Sequence, residues 1–208
     1  MDLNTPLIFL EIDTDDMESG VQAISFVDAP ATEISWKKFS EQKHLFELKE
    51  AERILTGPIM LANTPIPRFS QTVGMYNVQF TEKTILSMMK KYFKENKIHM
   101  INEQHDSKRK VNGVYMIESF IINDRTKSEL FNLPNGTWMA TFYVEDEDYW
   151  NDVIMKDAFT GFSLEGLFSE NWENQIIEQT YSKIMDVLDS SENEVIKEYQ
   201  LKQILNIK

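Results

Sequence analysis

The chain has 208 residues, no cysteine and a formal net charge of −13, with 42% hydrophobic and 26% charged residues. That balance fits a soluble globular protein able to bury a core, and it leaves no room for disulfides, thiolate chemistry or cysteine-ligated zinc. The acidic charge excludes nucleic acid as a partner, because the densest basic cluster is only Lys108-Arg109-Lys110; no apolar run approaches the roughly 18 residues of a membrane span, and the N-terminus lacks the basic start and cleavage site of a secretory signal.

Residues 7–13 and 21–27 read as short strands around an acidic turn that ends at Gly20. Asp28-Ala29-Pro30-Ala31 breaks the pattern, and 33–50 reads as loop with a short helix. Residues 53–62 look like a strand interrupted at Gly57-Pro58, which points to an edge or a bulge. Asn63 to Arg68, with Pro65 and Pro67, reads as an extended loop. A strand from Met75 to Phe80 leads into a helix capped by Thr81, along which Ile85, Met88, Met89, Tyr92 and Phe93 recur at helical spacing. That stripe is core packing rather than a cofactor box.

Residues 111–122 and 137–145 read as strands joined through Pro134-Asn135-Gly136, followed by a short helix over 146–156 and a strand over 161–168. Beyond Trp172 the character changes. Ile177, Tyr181, Ile184 and Leu188 form one helical stripe, and Ser191-Glu192-Asn193-Glu194 opens a second helix as a capping box. The pattern predicts an α+β domain over residues 1–172 and a helical appendage over 173–208.

The histidines are His44, His99 and His105, the last in the polar cluster Asn102-Glu103-Gln104-His105-Asp106. Ser163 lies in Gly161-Phe162-Ser163-Leu164-Glu165-Gly166, where glycines admit a close backbone neighbour. In a strand, Phe162 and Leu164 face the core while Ser163 and Glu165 share the other face. A serine hydroxyl becomes a nucleophile when a histidine takes its proton, and an acceptor must orient that histidine. Residues i and i+2 of a strand are about 6.5–7 Å apart, so Glu165 can hold an imidazole that also touches Ser163. Taken singly, each residue also reads as ordinary structure: a strand serine, a solvated histidine, a solvent-facing glutamate. A metal site on His99, Glu103, His105 and Asp106 would need two histidines six residues apart, which suits neither a helix face nor a strand, so no metal or other cofactor is expected. The nucleophile elbow of α/β-hydrolases does not fit either, since the second glycine stands one place too late.

An ordered series of motifs adds to this reading. It comprises Val21-Gln22-Ala23-Ile24-Ser25-Phe26-Val27-Asp28-Ala29-Pro30-Ala31, Gly57-Pro58-Ile59-Met60 through Ile66-Pro67-Arg68, and Phe80-Thr81-Glu82 before the helix. Then follow Asn102 to Asp106, Gly113-Val114 with Glu118-Ser119, Gly136-Thr137-Trp138, and Gly161 to Gly166. In this order and spacing, over about residues 20–170, the chain resembles the phage serine proteases of the XkdF type, relatives of the prohead (procapsid) maturation proteases.

The resemblance implies a fold similar to the herpesvirus assemblin type, a compact β-barrel-like sheet with surrounding helices. It implies Ser163 as nucleophile and His105 as general base of a serine endopeptidase that cuts the major capsid protein, the scaffold and often itself. The setting it implies is the assembling procapsid in the host cytoplasm, with no cofactor, no nucleic acid and no membrane; a homo-oligomer is compatible with it. In related prohead proteases a Glu-Val-Ser-Leu-Val stretch follows the serine, whereas here the similar Ala23-Ile24-Ser25-Phe26-Val27 precedes it with Ala23 in the glutamate's place. Another acceptor must therefore orient His105: Glu165 first, with Glu118 and Asp106 as alternatives. A different class of function is a catalytically silent capsid component that binds through its helical tail.

Overall fold

The structure, a computed structural model, describes residues 5–29, 47–49, 53–126, 132–156, 158–170 and 172–205. Among these, twelve strands form three open four-stranded sheets. The first has the order β12-β1-β6-β5, from β1 (Leu7–Glu11), β5 (Ile66–Ser70), β6 (Gly74–Gln79) and β12 (Ser169–Glu170). The second, β3-β4-β10-β9, is built from β3 (Glu47–Lys49), β4 (Ile54–Met60), β9 (Val114–Ile121) and β10 (Trp138–Val144). The third, β11-β2-β7-β8, carries β2 (Gly20–Val27), β7 (Ile101–Glu103), β8 (Asp106–Lys110) and β11 (Gly161–Leu167). The α+β class expected from the pattern holds. The β-barrel-like sheet does not: each sheet ends in two edge strands, and no closed barrel forms among the described residues.

β2 and β10 are central strands, and their sequences show it. GVQAISFV and WMATFYV are apolar at most positions instead of alternating, because both faces are covered. Helix α1 (Glu82–Lys94) lies against both strands. Thr81 caps it by accepting the Thr84 N–H at 3.1 Å, and Ile85, Met88 and Tyr92 are buried. Phe93, expected on the same stripe, is 45% exposed. Lys91 takes an inward place next to Tyr92, donating from Nζ to the carbonyls of Asp13 and Asp16, so a buried cation ties down the acidic turn between β1 and β2.

Several boundaries differ from the sequence reading for physical reasons. Gly57-Pro58 does not interrupt β4. Among the described residues β3 pairs with it only as far as Thr56, so Pro58 has no described partner on that side, and the ladder to β10 is bulged at Trp138/Met139. Pro67 lies within β5, an edge strand that tolerates the missing donor, where an extended loop was expected. Residues 47–49 form a strand rather than loop or helix; the rest of 33–50, like Pro30, Ala31 and His44, lies outside the described residues. The helix expected over 146–156 is a short turn, α2 (Glu147–Tyr149), running into a wider π-type turn over Trp150–Ile154.

The chain ends in α3 (Trp172–Asp189) and α4 (Glu194–Ile204). Asn193, not Ser191, caps α4 by accepting the Ile196 N–H at 3.1 Å. The start of α3 is tied to the first sheet. Gln175 accepts the Phe9 N–H at 2.6 Å and donates to the Phe9 carbonyl at 2.8 Å, while Trp172 packs edge-on against Tyr76. No helix among the described residues is long and apolar enough to cross a membrane.

Candidate active site

The third sheet gathers the residues singled out for chemistry onto one face. β11 runs antiparallel to β2 with Ser163 directly opposite Ser25 and Glu165 directly opposite Ala23. β2 runs parallel to β7 with Ser25 level with Asn102. Partners in register point to the same side of a sheet, so Ser163, Ser25 and Asn102 form a row across three strands. On the opposite face Phe26, Phe142, Phe159 and Phe162 interlock, with Phe142 and Phe162 centred 4.9 Å apart and Phe26 and Phe162 5.5 Å apart. This rigid aromatic floor fixes the row above it.

Two features aim the polar side chains. The first is the β7–β8 hairpin, a two-residue turn in which Gln104 (φ 54°) and His105 (φ 58°) both adopt the left-handed conformation. That is the geometry of a type I′ turn, which favours Asn and Gly; a pair of larger residues there is strained, as functional positions often are. The turn is held by the Gln104 N–H donating to the Phe26 carbonyl at 2.9 Å, and by Glu103, which pairs with Arg109 and accepts from Tyr149 Oη at 3.0 Å. The second feature is a bulge. The pairing shifts between Glu165 and Gly166, leaving Gln22 unpaired on β2. A Cβ at Gly166 would stand 2.3 Å from the Gly20 carbonyl oxygen, so the close backbone approach expected of these glycines occurs here.

The resulting hydrogen bonds link His105 to Glu165 through two residues that sequence reasoning did not select. Ser25 Oγ lies 3.0 Å from His105 Nδ1 and donates to Asn102 Oδ1 at 2.6 Å, and Asn102 Nδ2 donates to Glu165 Oε2 at 2.5 Å. Ser25 is 0% and Asn102 3% exposed, whereas the His105 side chain sits at the exposed turn with one ring edge turned inward. Among the described residues His105 makes no direct hydrogen bond to Ser163 or Glu165. Ser163 is 4% exposed, and its hydroxyl has no hydrogen-bond partner among the described residues. Ser25 had one legible signal: a serine between Ile24 and Phe26 in a strand buried on both faces needs a polar partner.

The alternative carboxylates stand elsewhere. Glu118 is on β9 in the second sheet and accepts from Thr141 Oγ1 at 2.9 Å, and Asp106 accepts the Lys108 N–H at 2.9 Å within the hairpin. His99 packs against Tyr115, and Glu103 points away from Asn102 toward Tyr149. Partial burial holds the His105 imidazole below its ordinary pKa; the Arg68 cation adds to that effect and the Glu165 carboxylate opposes it. The shift favours the neutral ring, the form a general base needs.

Residues 71–173, just under half of the chain, match the model of the family described as "Putative phage serine protease XkdF". This bears out the resemblance for the motifs from Phe80 to Gly166; those at 21–31 and 57–68 precede the matched span. The matched span holds Asn102, His105, Ser163 and Glu165, while Ser25 precedes it. No curated protein and no solved structure matches the chain.

Proposed function

We propose that this chain, a phage serine protease of the XkdF type by the match over residues 71–173, is the endopeptidase that trims capsid and scaffold proteins during procapsid maturation. Ser163 attacks the scissile carbonyl. His105 takes its proton and returns it to the leaving amine, and Glu165 stabilises the imidazolium. The observation that carries this reading is the single polar face on which Ser163, His105 and Glu165 lie around Ser25 and Asn102. Two serines compete for the role of nucleophile, and proton accounting favours Ser163. Ser25 is fully buried with its one proton committed to Asn102, whereas the Ser163 hydroxyl has no partner among the described residues. Ala23 is the residue opposite Glu165, so the carboxylate that the related prohead proteases carry on that strand would come here from β11. A relation to the assemblin type belongs to this proposal, as do the host cytoplasm and the procapsid interior as its place of action.

Intact-mass measurement over time, on this chain co-expressed with the capsid and scaffold proteins of its own phage, tests the activity. Discrete cuts near the N-terminus of the capsid protein are expected. Capsid and scaffold proteins that stay whole would instead favour a catalytically silent capsid component. One observation supports that second reading: Ile177 and Tyr181 on α3, with Val195 and Tyr199 on α4, are each at least 64% exposed and offer an apolar surface for a partner.

The charges around His105 give a pH test with a defined sign. kcat/KM should rise through an acid limb lying below the ordinary histidine value of 6.5. Arg68→Ala removes a cation that repels the imidazolium, so the limb should move up in pH; Glu165→Gln removes an attracting anion, so it should move down. A limb unmoved by both substitutions would mean that His105 is not the titrating base.

A further inference from the structure

Ser25 and Asn102 have no part in the bond-making steps, yet both are buried polar side chains whose hydrogen bonds run in one direction. Donor and acceptor chemistry alone fixes that direction. An ionised carboxylate cannot donate, so the group of Asn102 that faces Glu165 must be its amide NH2. The carbonyl Oδ1 therefore faces Ser25 and requires a donor, and the single hydroxyl proton of Ser25 goes there. With that proton spent, Ser25 Oγ meets His105 Nδ1 only as an acceptor, so the ring proton must reside on Nδ1. The lone pair is left on Nε2, the nitrogen a general base uses.

We propose that Ser25 and Asn102 are positioning residues, forming a directional relay from Glu165 to His105 Nδ1 that holds His105 in the Nδ1–H tautomer. The catalytic consequence rests on the peptidase reading above; the tautomer itself does not. Every proton in the relay points toward Glu165, so when His105 accepts a proton on Nε2 the positive charge is stabilised through polarised hydrogen bonds rather than by direct contact. The relay also accounts for the small side chain at position 23. Glu165 must reach over β2 to meet Asn102, and the residue directly opposite it is alanine.

The test is 15N NMR of the histidine side chains in the full chain bearing Ser163→Ala, which prevents self-cutting, at a pH above the His105 midpoint, with the His105 signals assigned by their loss in His105→Gln. The expected result is a protonated Nδ1 and an unprotonated Nε2. Ser25→Ala should shift the ring toward the Nε2–H form, and Ser25→Thr, which keeps the hydroxyl, should restore the parental signals. In the active background Ser25→Ala should lower kcat roughly 10- to 100-fold with KM little changed, and Ser25→Thr should recover most of it. An Nε2–H ring in the parent overturns the relay before any relay residue is substituted, so a Ser25 variant that fails to fold does not spare the proposal. An unchanged Nδ1–H ring in folded Ser25→Ala overturns it as well. Because the tautomer is read without proteolysis, loss of the relay and loss of the peptidase assignment are separate results.

Discussion

Ser163→Ala should abolish cutting, lowering kcat by roughly 10⁴-fold or more, while leaving stability unchanged or slightly raised. The two halves of this expectation have separate causes. Activity falls because the attacking oxygen is gone. Stability does not, because Ser163 makes no side-chain hydrogen bond among the described residues, so truncating it leaves no partner unsatisfied. Ser25→Ala should behave in the opposite way. It deletes a hydroxyl that serves both Asn102 Oδ1 and His105 Nδ1, leaving the buried Asn102 carbonyl unsatisfied at a cost of about 1–3 kcal/mol. Its activity loss should be partial, since nucleophile and base both remain. Fragment masses for activity and urea unfolding for stability measure the crossed pattern. Abolition of cutting by Ser25→Ala together with cutting that survives in Ser163→Ala would transfer the nucleophile to Ser25.

That contrast also shows what the sequence made legible. Strand alternation alone places Glu165 on the face of Ser163, and the β11 register agrees. The helix after Thr81 was legible because its cap and apolar stripe are local signals, complete within a few turns. The Ser25–Asn102 relay was not. It depends on a parallel pairing between β2 and β7, whose residues are 77 positions apart, and nothing local in either segment encodes the other. The β7–β8 turn was missed for a different reason: Gln104-His105 lacks the Asn or Gly that normally marks a two-residue hairpin. Its left-handed geometry is imposed by tertiary contacts, the Gln104 N–H on Phe26 and the Glu103–Arg109–Tyr149 cluster, rather than by propensity. The closed barrel expected from the resemblance failed at the same level, since strand periodicity says which face is buried but not whether a sheet closes.

Gly166→Val should be the most damaging single substitution near the site that touches none of its polar groups. Already the first added carbon would stand 2.3 Å from the Gly20 carbonyl oxygen and 3.0 Å from its carbon. Both are backbone atoms of β2, so no rotamer change relieves the contact; the two strands must separate at the bulge. Overpacking against a mobile side chain typically costs about 1–3 kcal/mol, and a clash with a paired strand should lie at or above the top of that range. The separation falls one residue from Glu165 and three from Ser163, so the surviving folded fraction should also lose activity. Leu167→Ala is the natural control. Leu167 is the next residue and 60% exposed, so its truncation should change stability by less than about 0.5 kcal/mol. Urea unfolding of the three proteins measures the difference. Equal midpoints for Gly166→Val and Leu167→Ala would show that β2 and β11 approach less closely than the structure has them, and the bulge could then no longer be what turns Glu165 toward Asn102.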